Sequence, residues 1–422
     1  MNQLLARFVV VISLAAPLWT IQGNAAPAAV SDLRGVRSVA TGSLHSCAVS
    51  HRGDVWCWGW NYYGQLGNGS TMDSLTPRRV RTPEVAFVAV VTGSGHSCAL
   101  SAAGAVWCLG YNGAGNVGRV WDDIEELPVL VPGLSSGARA IAAGDNHNCA
   151  IPEDGHVRCW GANGSGQLGN GTTTGGAVPV QVSGLGAGVR AITAGGRHTC
   201  ALDREGRAFC WGLNDSGQLG DGTRRQRLEP KAVRGLQRRN RDIAAGARHS
   251  CAVTRGDRTF CWGDTLGAAG ARSDSSNLPV RVPKLGRDVH SIVAGSFENW
   301  RRSAYGCALN AERQAWCWGD NSFGQLGDGS RTTRLRPVEV MRLGTGVRAI
   351  GGSKGRHSCA ILENGRLFCR GYNNLGQLGD GTRMTATVPV RVAGQLHRNC
   401  SRRGRATGTG HEAHAPWKRV LT

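Results

Sequence analysis

Beyond Trp19 the 422-residue sequence contains no long apolar run, so no membrane-spanning helix is expected in the mature chain. Charged residues are scarce, at 18%, against roughly a quarter in ordinary soluble domains, which excludes a disordered polyelectrolyte. Lysine is nearly missing, and almost all of the 49 basic side chains are arginine. No cysteine lies within residues 1–26, which argues against a lipid-modified N-terminus. The stretches between turn residues are short and leave little room for helix.

Residues 1–26 are laid out as a cleavable secretory signal: Arg7 in a short basic start, an apolar run from Phe8 to Trp19, and small residues around Asn24-Ala25-Ala26. The mature chain is therefore expected to be secreted, extracellular or periplasmic, in an oxidising setting. Glycine, at 63 residues, is about twice its usual share and points to many short strands joined by turns. The formal charge of +20 makes contact with polyanions plausible; arginine spread over a solvated surface is the competing explanation.

Cysteine supplies the organisation. Pairs ten residues apart recur at 47/57, 98/108, 149/159, 200/210, 251/261, 307/317 and 359/369, so the chain is a seven-fold repeat over residues 35–394. Cys400 is left over. Within the third repeat, Arg139–Ala143, His147–Ile151, His156–Trp160 and Pro179–Val182 read as four short strands.

The two cysteines of a repeat fall on its second and third strands, with Gly53, Gly104, Gly155, Gly206 or Gly365 at the reversal between them. If Cys98 opposes Cys108, then Leu100 opposes Val106, and Ala102-Ala103-Gly104 forms the hairpin loop. Directly opposed residues lie about 4.5 Å apart, at the lower end of what a disulfide spans. Seven intra-repeat bridges are therefore expected: Cys47–Cys57, Cys98–Cys108, Cys149–Cys159, Cys200–Cys210, Cys251–Cys261, Cys307–Cys317 and Cys359–Cys369. Free cysteines packed as small apolar residues are the alternative.

His45, His96, His147, His198, His249 and His357 precede the first cysteine of their repeats by two residues, and Tyr305 replaces them in repeat six. Disulfide formation consumes the sulfurs a zinc site would need, so a hydrogen-bonded structural histidine is expected and no metal. The glycine-spaced stretch that follows the third strand, as in Asn61-Tyr62-Tyr63-Gly64-Gln65-Leu66-Gly67-Asn68-Gly69, recurs in five repeats and leads to a proline-initiated strand. A phosphate loop would be a single copy opening a helix, so this is a connector.

Taken together, Gly-x-x-His-x-Cys-Ala-Leu, Gly-x-x-x-Cys-Trp-Gly and Asn-x-x-Gly-Gln-Leu-Gly-x-Gly-Thr resemble the regulator of chromosome condensation repeat, over about 360 residues. The resemblance implies an all-β, seven-bladed propeller with four-stranded blades, in which Trp58, Trp160, Trp211, Trp262 and Trp318 pack one blade on the next. The family's founding member is a chromatin-bound guanine-nucleotide exchange factor, a role that a secretory signal does not fit. Other relatives are interaction modules, among them a secreted bacterial propeller that inhibits β-lactamases through one face.

If the repeats build the scaffold, departures from them are the candidates for function. Repeat six inserts Ser296-Phe297-Glu298-Asn299-Trp300-Arg301-Arg302 between its first two strands, a composition typical of interface anchors. Phe297, Trp300, Arg301 and Arg302 are therefore the expected partner-binding residues, set against an ordinary surface insertion. Repeat two carries Asp122, Asp123, Glu125 and Glu126 where the connector should be, without the spacing of a calcium loop. Repeat four carries Arg224, Arg225, Arg227, Lys231, Arg234, Arg238, Arg239 and Arg241, and residues 395–422 form a basic tail expected to be disordered.

No repeat holds a catalytic constellation that the others lack, and no catalytic residue or cofactor is expected. The functional expectation is a secreted, non-enzymatic scaffold that binds a protein partner through one propeller face. An exchange-factor-like regulator and a polyanion-binding surface protein are the alternatives. A monomer is expected, with a dimer open through Cys400.

Overall fold

The computed structural model describes residue 33 and residues 35–395, apart from 121–122, 257, 266–274, 284, 286–288, 297–302 and 353. The expected signal and nearly all of the basic tail, Cys400 included, lie outside the described residues. Every regular element among the described residues is a strand.

Val36–Thr41, His45–Ser50, Val55–Gly59 and Ser74–Arg79 pair in chain order as one antiparallel sheet, and six further four-stranded sheets repeat the arrangement. The chain is a seven-bladed β-propeller in which each blade uses four consecutive strands. The third-repeat segments read from sequence appear as Ala138–Ala143, His147–Pro152, Arg158–Gly161 and Gly176–Gln181.

The fourth strand departs from expectation, because it begins before the proline rather than at it. In the third blade Pro179 lies inside Gly176–Gln181, and in the seventh Pro389 lies inside Ala386–Arg391. The outermost strand has pairing on one side only, and a register shift between Cys159 and Gly161 carries the ladder past the residue that has no N–H to give. The same geometry turns the supposed connectors into strands: Glu125 and Glu126 belong to Ile124–Leu130, and Arg227 and Lys231 to Arg227–Ala232.

All seven expected bridges are present, with opposed Cα atoms 4.0–4.1 Å apart. Cys98 opposes Cys108 and Leu100 opposes Val106, while Gly104 turns the chain at φ +82°. Blade six makes that turn with Arg313 at φ 57° instead of a glycine.

Each disulfide is covered by the third strand of the following blade. Trp211 packs on Cys149 and Cys159, Trp262 on Cys200 and Cys210, and Trp160 on Cys98 and Cys108. The indole N–H of Trp211 also donates to the Gln167 carbonyl of the preceding blade at 2.9 Å, as Trp262 does to Gln218 at 2.8 Å. The ring closes by the same contact, since Trp58 of blade one covers Cys359 and Cys369 and donates to Gln377 of blade seven at 2.9 Å. Trp211→Phe keeps a ring over the bridge and loses the N–H; it should cost on the order of 1 kcal/mol, and Trp211→Ala about 3–5 kcal/mol, both measurable by denaturant unfolding.

The histidines complete the joint. His45 Nε2 lies 2.9 Å from Ser97 Oγ of the next blade, and that hydroxyl donates to the Gln65 carbonyl at 3.0 Å. Because the hydroxyl proton is committed, the serine accepts, and the histidine carries its proton on Nε2. His147 with Thr199, His198 with Ser250 and His357 with Ser46 repeat the circuit at 2.8–2.9 Å, and His96 meets Asn148 Oδ1. The Nδ1 atoms of these histidines are buried without a partner, so a second proton would sit uncompensated in the core.

Burial accordingly pulls His45, His198 and His357 down to about 3 and His96 and His249 down to about 4, and holds His147 well below its usual value. An unfolded histidine titrates at about 6.5, so as pH falls from there toward 4 the unfolded state takes up protons that the fold refuses. The stability present above about pH 6.5 is lost across that window, by up to ~1.4 kcal/mol per pH unit for each histidine. Cooperative acid unfolding between about pH 6.5 and 4 is expected, followed by tryptophan fluorescence with uptake of several protons. A fold that persists below pH 3 would contradict the buried neutral ring.

Candidate functional site

The connectors that follow the third strands are held rigid by their own asparagine and glutamine. Asn61 Oδ1 accepts the Leu66 N–H at 2.8 Å, Asn61 Nδ2 donates to the carbonyls of Ser70 and Met72 at 2.7 and 3.0 Å, and Gln65 Oε1 accepts the Tyr63 N–H at 2.9 Å. Asn163, Asn214, Asn321 and Asn373 likewise accept from Leu168, Leu219, Leu326 and Leu378 at 2.9–3.0 Å. The repeated motif residues are thus turned inward as scaffold. What distinguishes one blade from another is the residue before this asparagine and the one two places after it.

At these two positions four adjacent blades carry rings. Blade one has Trp60 and Tyr63, blade two Tyr111, blade six Phe323 and blade seven Tyr372, whereas blades three to five have Ala162, Ser165, Leu213, Ser216 and Asp264. Tyr63 meets Tyr111 across the joint between blades at 4.9 Å, and Phe323 meets Tyr372 edge-on across the equivalent joint at 5.0 Å. Trp60 packs edge-on to Tyr63 at 5.3 Å and stacks with Tyr62 at 6.3 Å. Leu375 holds the position two places after the asparagine in blade seven. The result is a crescent across blades six, seven, one and two, half-buried except for Tyr62, which is 63% exposed.

Backbone hydrogen bonds place this crescent at the same end of the blades as the turns between first and second strands. The N–H groups of Trp60, Tyr111, Asp320 and Tyr372 donate to the carbonyls of Leu44, Gly95, Ala304 and Arg356 at 2.8–3.0 Å. Arg356 itself lies over the Phe323 ring at 4.7 Å. Cations continue around the face in blades four and five, where Arg248 pairs with Asp215 at 2.5 Å and Arg224 donates to the Asp215 carbonyl at 2.9 Å.

Phe297, Trp300, Arg301 and Arg302 lie outside the described residues. The ends of their segment are described. Ser296, counted with the insertion from sequence, is a structural residue: it is 3% exposed and its hydroxyl accepts the Ala247 N–H of blade five at 2.6 Å. The Ala304 carbonyl accepts the Asp320 N–H at 2.8 Å, three residues before Phe323.

The crescent itself was not anticipated from sequence. Its signal lies in the column of residues beside each connector asparagine, where the repeating glycines make the connectors look alike.

The other candidates resolve differently. Glu125 pairs with Arg119 at 3.4 Å, and among the described residues no group of three histidine, cysteine or carboxylate side chains is arranged to hold a metal. Arg227 pairs with the largely buried Asp221 at 2.8 Å, and Arg241 lies 3.1 Å from His290 Nδ1. The serines next to histidine are within reach of a base, but their hydroxyls are buried, committed to carbonyls and paired with imidazoles that refuse a proton, so they are unsuited to nucleophilic catalysis.

The central channel is lined by small side chains. The innermost strands line it with Ala40, Val91, Ala142, Ala194, Ala244 and Ala294, and Lys354 of blade seven crosses it to donate to the Ala143 carbonyl of blade three. Burial lowers that lysine to about 8, partly offset by the charge of Asp145.

Comparison with known proteins fits this geometry. A model described as the RCC1-like domain matches residues 19–299, and models of the regulator of chromosome condensation (RCC1) repeat match residues 314–362 and 348–377. The ultraviolet-B receptor UVR8 of Arabidopsis thaliana is 30% identical over 365 residues, covering 84% of this chain and 81% of the receptor. The human E3 ubiquitin-protein ligase HERC2 is 30% identical over 356 residues, 81% of this chain but 7% of the ligase. Prp20p of Saccharomyces cerevisiae, whose structure was reported with its binding properties to Gsp1p and histones, is 24% identical with a TM-score of 0.70, covering 82% of this chain and 87% of Prp20p. With a domain model spanning well over half of it and a receptor of nearly the same length as its relative, the chain belongs to the RCC1-like domain family.

Proposed function

We propose that this protein is a secreted, non-enzymatic scaffold that binds a protein partner through the crescent face. The observation that carries this is the confinement of Trp60, Tyr62, Tyr63, Tyr111, Phe323 and Tyr372 to four adjacent blades on one face, at positions where the other described blades carry no aromatic ring. Rings held by rigid connectors lose little conformational entropy on docking and are the usual anchors of interfaces. The partner is a protein with an apolar patch bordered by carboxylates, which the cations at Arg356 and along blades four and five would meet.

The inserted residues Phe297, Trp300, Arg301 and Arg302 are proposed as further contacts, because Ala304, which follows them, bonds the Asp320 N–H three residues before Phe323. Seven disulfides suit an oxidising compartment, which supports the secretory reading of residues 1–26. A monomer is proposed, with Cys400 as the route to a covalent dimer. An exchange-factor-like role remains the alternative reading, distinguished by accelerated nucleotide release from a small GTPase.

The test is affinity capture from secreted material with three forms of the protein. Tyr62→Ser/Phe323→Ser alters the crescent, and Arg52→Glu/Arg204→Glu alters exposed hairpins at the opposite end of the blades. A partner retained by the parent should bind the crescent variant at least tenfold more weakly, about 1.4 kcal/mol, and bind the hairpin variant as well as the parent. Shortening 297–302 while keeping Ser296 should weaken it by a further ~2 kcal/mol if Trp300 is a central anchor. Loss of binding in the hairpin variant alone would move the interface to the other face. Binding that falls steeply with salt and ignores both variants would favour a polyanion surface.

A further inference from the structure

The seven disulfides are alike in sequence spacing but not in what covers them. Trp58, Trp160, Trp211, Trp262 and Trp318 cover the bridges of blades seven, two, three, four and five, and Leu109 covers that of blade one. Blade six is the exception, because the tryptophan position of blade seven is Arg370. Its side chain is fully buried, with Nη2 3.1 Å from Cys317 Sγ and 3.8 Å from Cys307 Sγ. The hydrogen bonds found at other bridges come from neutral groups, such as Ser97 at Cys47 and Ser250 at Cys200.

Among the described residues the guanidinium has no counter-ion. Its Nε donates to the Gln325 carbonyl at 3.1 Å, replacing the indole N–H, while Nη1 is buried without a partner. No carboxylate pairs with it among the described residues. The neighbouring Tyr305 phenol is held neutral by burial, which pushes its pKa upward, and it donates to the His357 carbonyl at 2.9 Å. A buried cation left unpaired is costly, and a thiolate formed 3.1 Å from Nη2 would supply the missing charge.

We propose that Cys307–Cys317 is a redox-responsive bridge, the first of the seven to be reduced by a dithiol, with Cys317 held as a thiolate against Arg370. The reductant's thiolate attacks Cys307 Sγ, the S–S bond breaks, and its electron pair leaves on Cys317 Sγ beside the guanidinium. The reductant's second thiol gives its proton to water and attacks its own sulfur in the mixed disulfide, releasing Cys307, which takes up a proton. The dithiol becomes a disulfide, losing two electrons, and the bridge gains them. A better-stabilised leaving thiolate both speeds the exchange and raises the potential of the couple.

The experiment equilibrates the full-length protein in dithiothreitol redox buffers, quenches with an alkylating agent and maps the modified peptides by mass. Cys307–Cys317 should open at a potential at least tenfold in equilibrium constant, about 30 mV for a two-electron couple, above the tryptophan-covered bridges. Arg370→Trp restores the residue other blades carry and is expected to fold; it should bring the bridge level with the rest, whereas Arg370→Lys should keep part of the difference. Thiolate absorbance near neutral pH in the partly reduced protein should be present with Arg370 and absent in Arg370→Trp. Two results would overturn the proposal. One is a bridge reduced together with or after the others in the parent, and the other is a bridge still reduced first in Arg370→Trp, which would show loosening of blade six rather than the cation as the cause.

Discussion

The contact on which the ring depends is the seating of one blade's third strand on the preceding blade's disulfide. A disulfide between directly opposed residues is a compact apolar knob, and a tryptophan laid over it excludes water while its N–H reaches a carbonyl of the older blade. That carbonyl also receives the serine, threonine or asparagine to which a histidine of its own blade is bonded. Packing and hydrogen bonding therefore lock the same two blades with the same few residues. Repetition of this joint fixes the angle between blades, and the angle fixes how many are needed to close.

Where the joint is altered, its parts change together. Blade six has Tyr305 for the histidine and Gly306 where neighbouring blades have a hydroxyl or amide, and the ring of Trp318 fills the space that a side chain at 306 would need. Tyr305 reaches past the usual position to the backbone of His357, and Arg370 takes the place of the indole. The region around the 5/6 and 6/7 joints thus exchanges neutral, self-satisfied contacts for a phenol and a cation that no carboxylate among the described residues pairs. Such exceptions cost stability in a repeat protein, so their concentration in adjoining blades marks the part of the ring that differs in chemistry from the rest.

In a rigid ring the residues that differ from blade to blade stand on the connectors rather than in the core. The innermost strands bring alanines and threonines together around the axis, and Lys354 reaches across to the Ala143 carbonyl. The connectors are pinned by asparagine and glutamine side chains bonded to backbone groups, so the residues beside them have fixed positions without contributing to the core. Aromatic rings there touch across blade boundaries, as Tyr63 does Tyr111 and Phe323 does Tyr372, which joins side chains of separate repeats.

The hairpin pairing of the cysteines and the number of blades were legible in the sequence. The ten-residue cysteine spacing determines the hairpin register, because a bridge between opposed residues leaves one choice of loop, and the seven repeats determine the number of blades. The tertiary structure decided what periodicity cannot carry. Proline positions suggested where the fourth strands start, but an edge strand can hold proline within it, so those starts were misplaced. Tyr63 and Tyr111 are 48 residues apart in the chain and meet only because neighbouring blades bring equivalent connectors together. Arg370 reads in sequence as one more basic residue of a basic protein; it becomes a buried cation facing a disulfide because its position in the repeat is the one that each blade presses onto its neighbour.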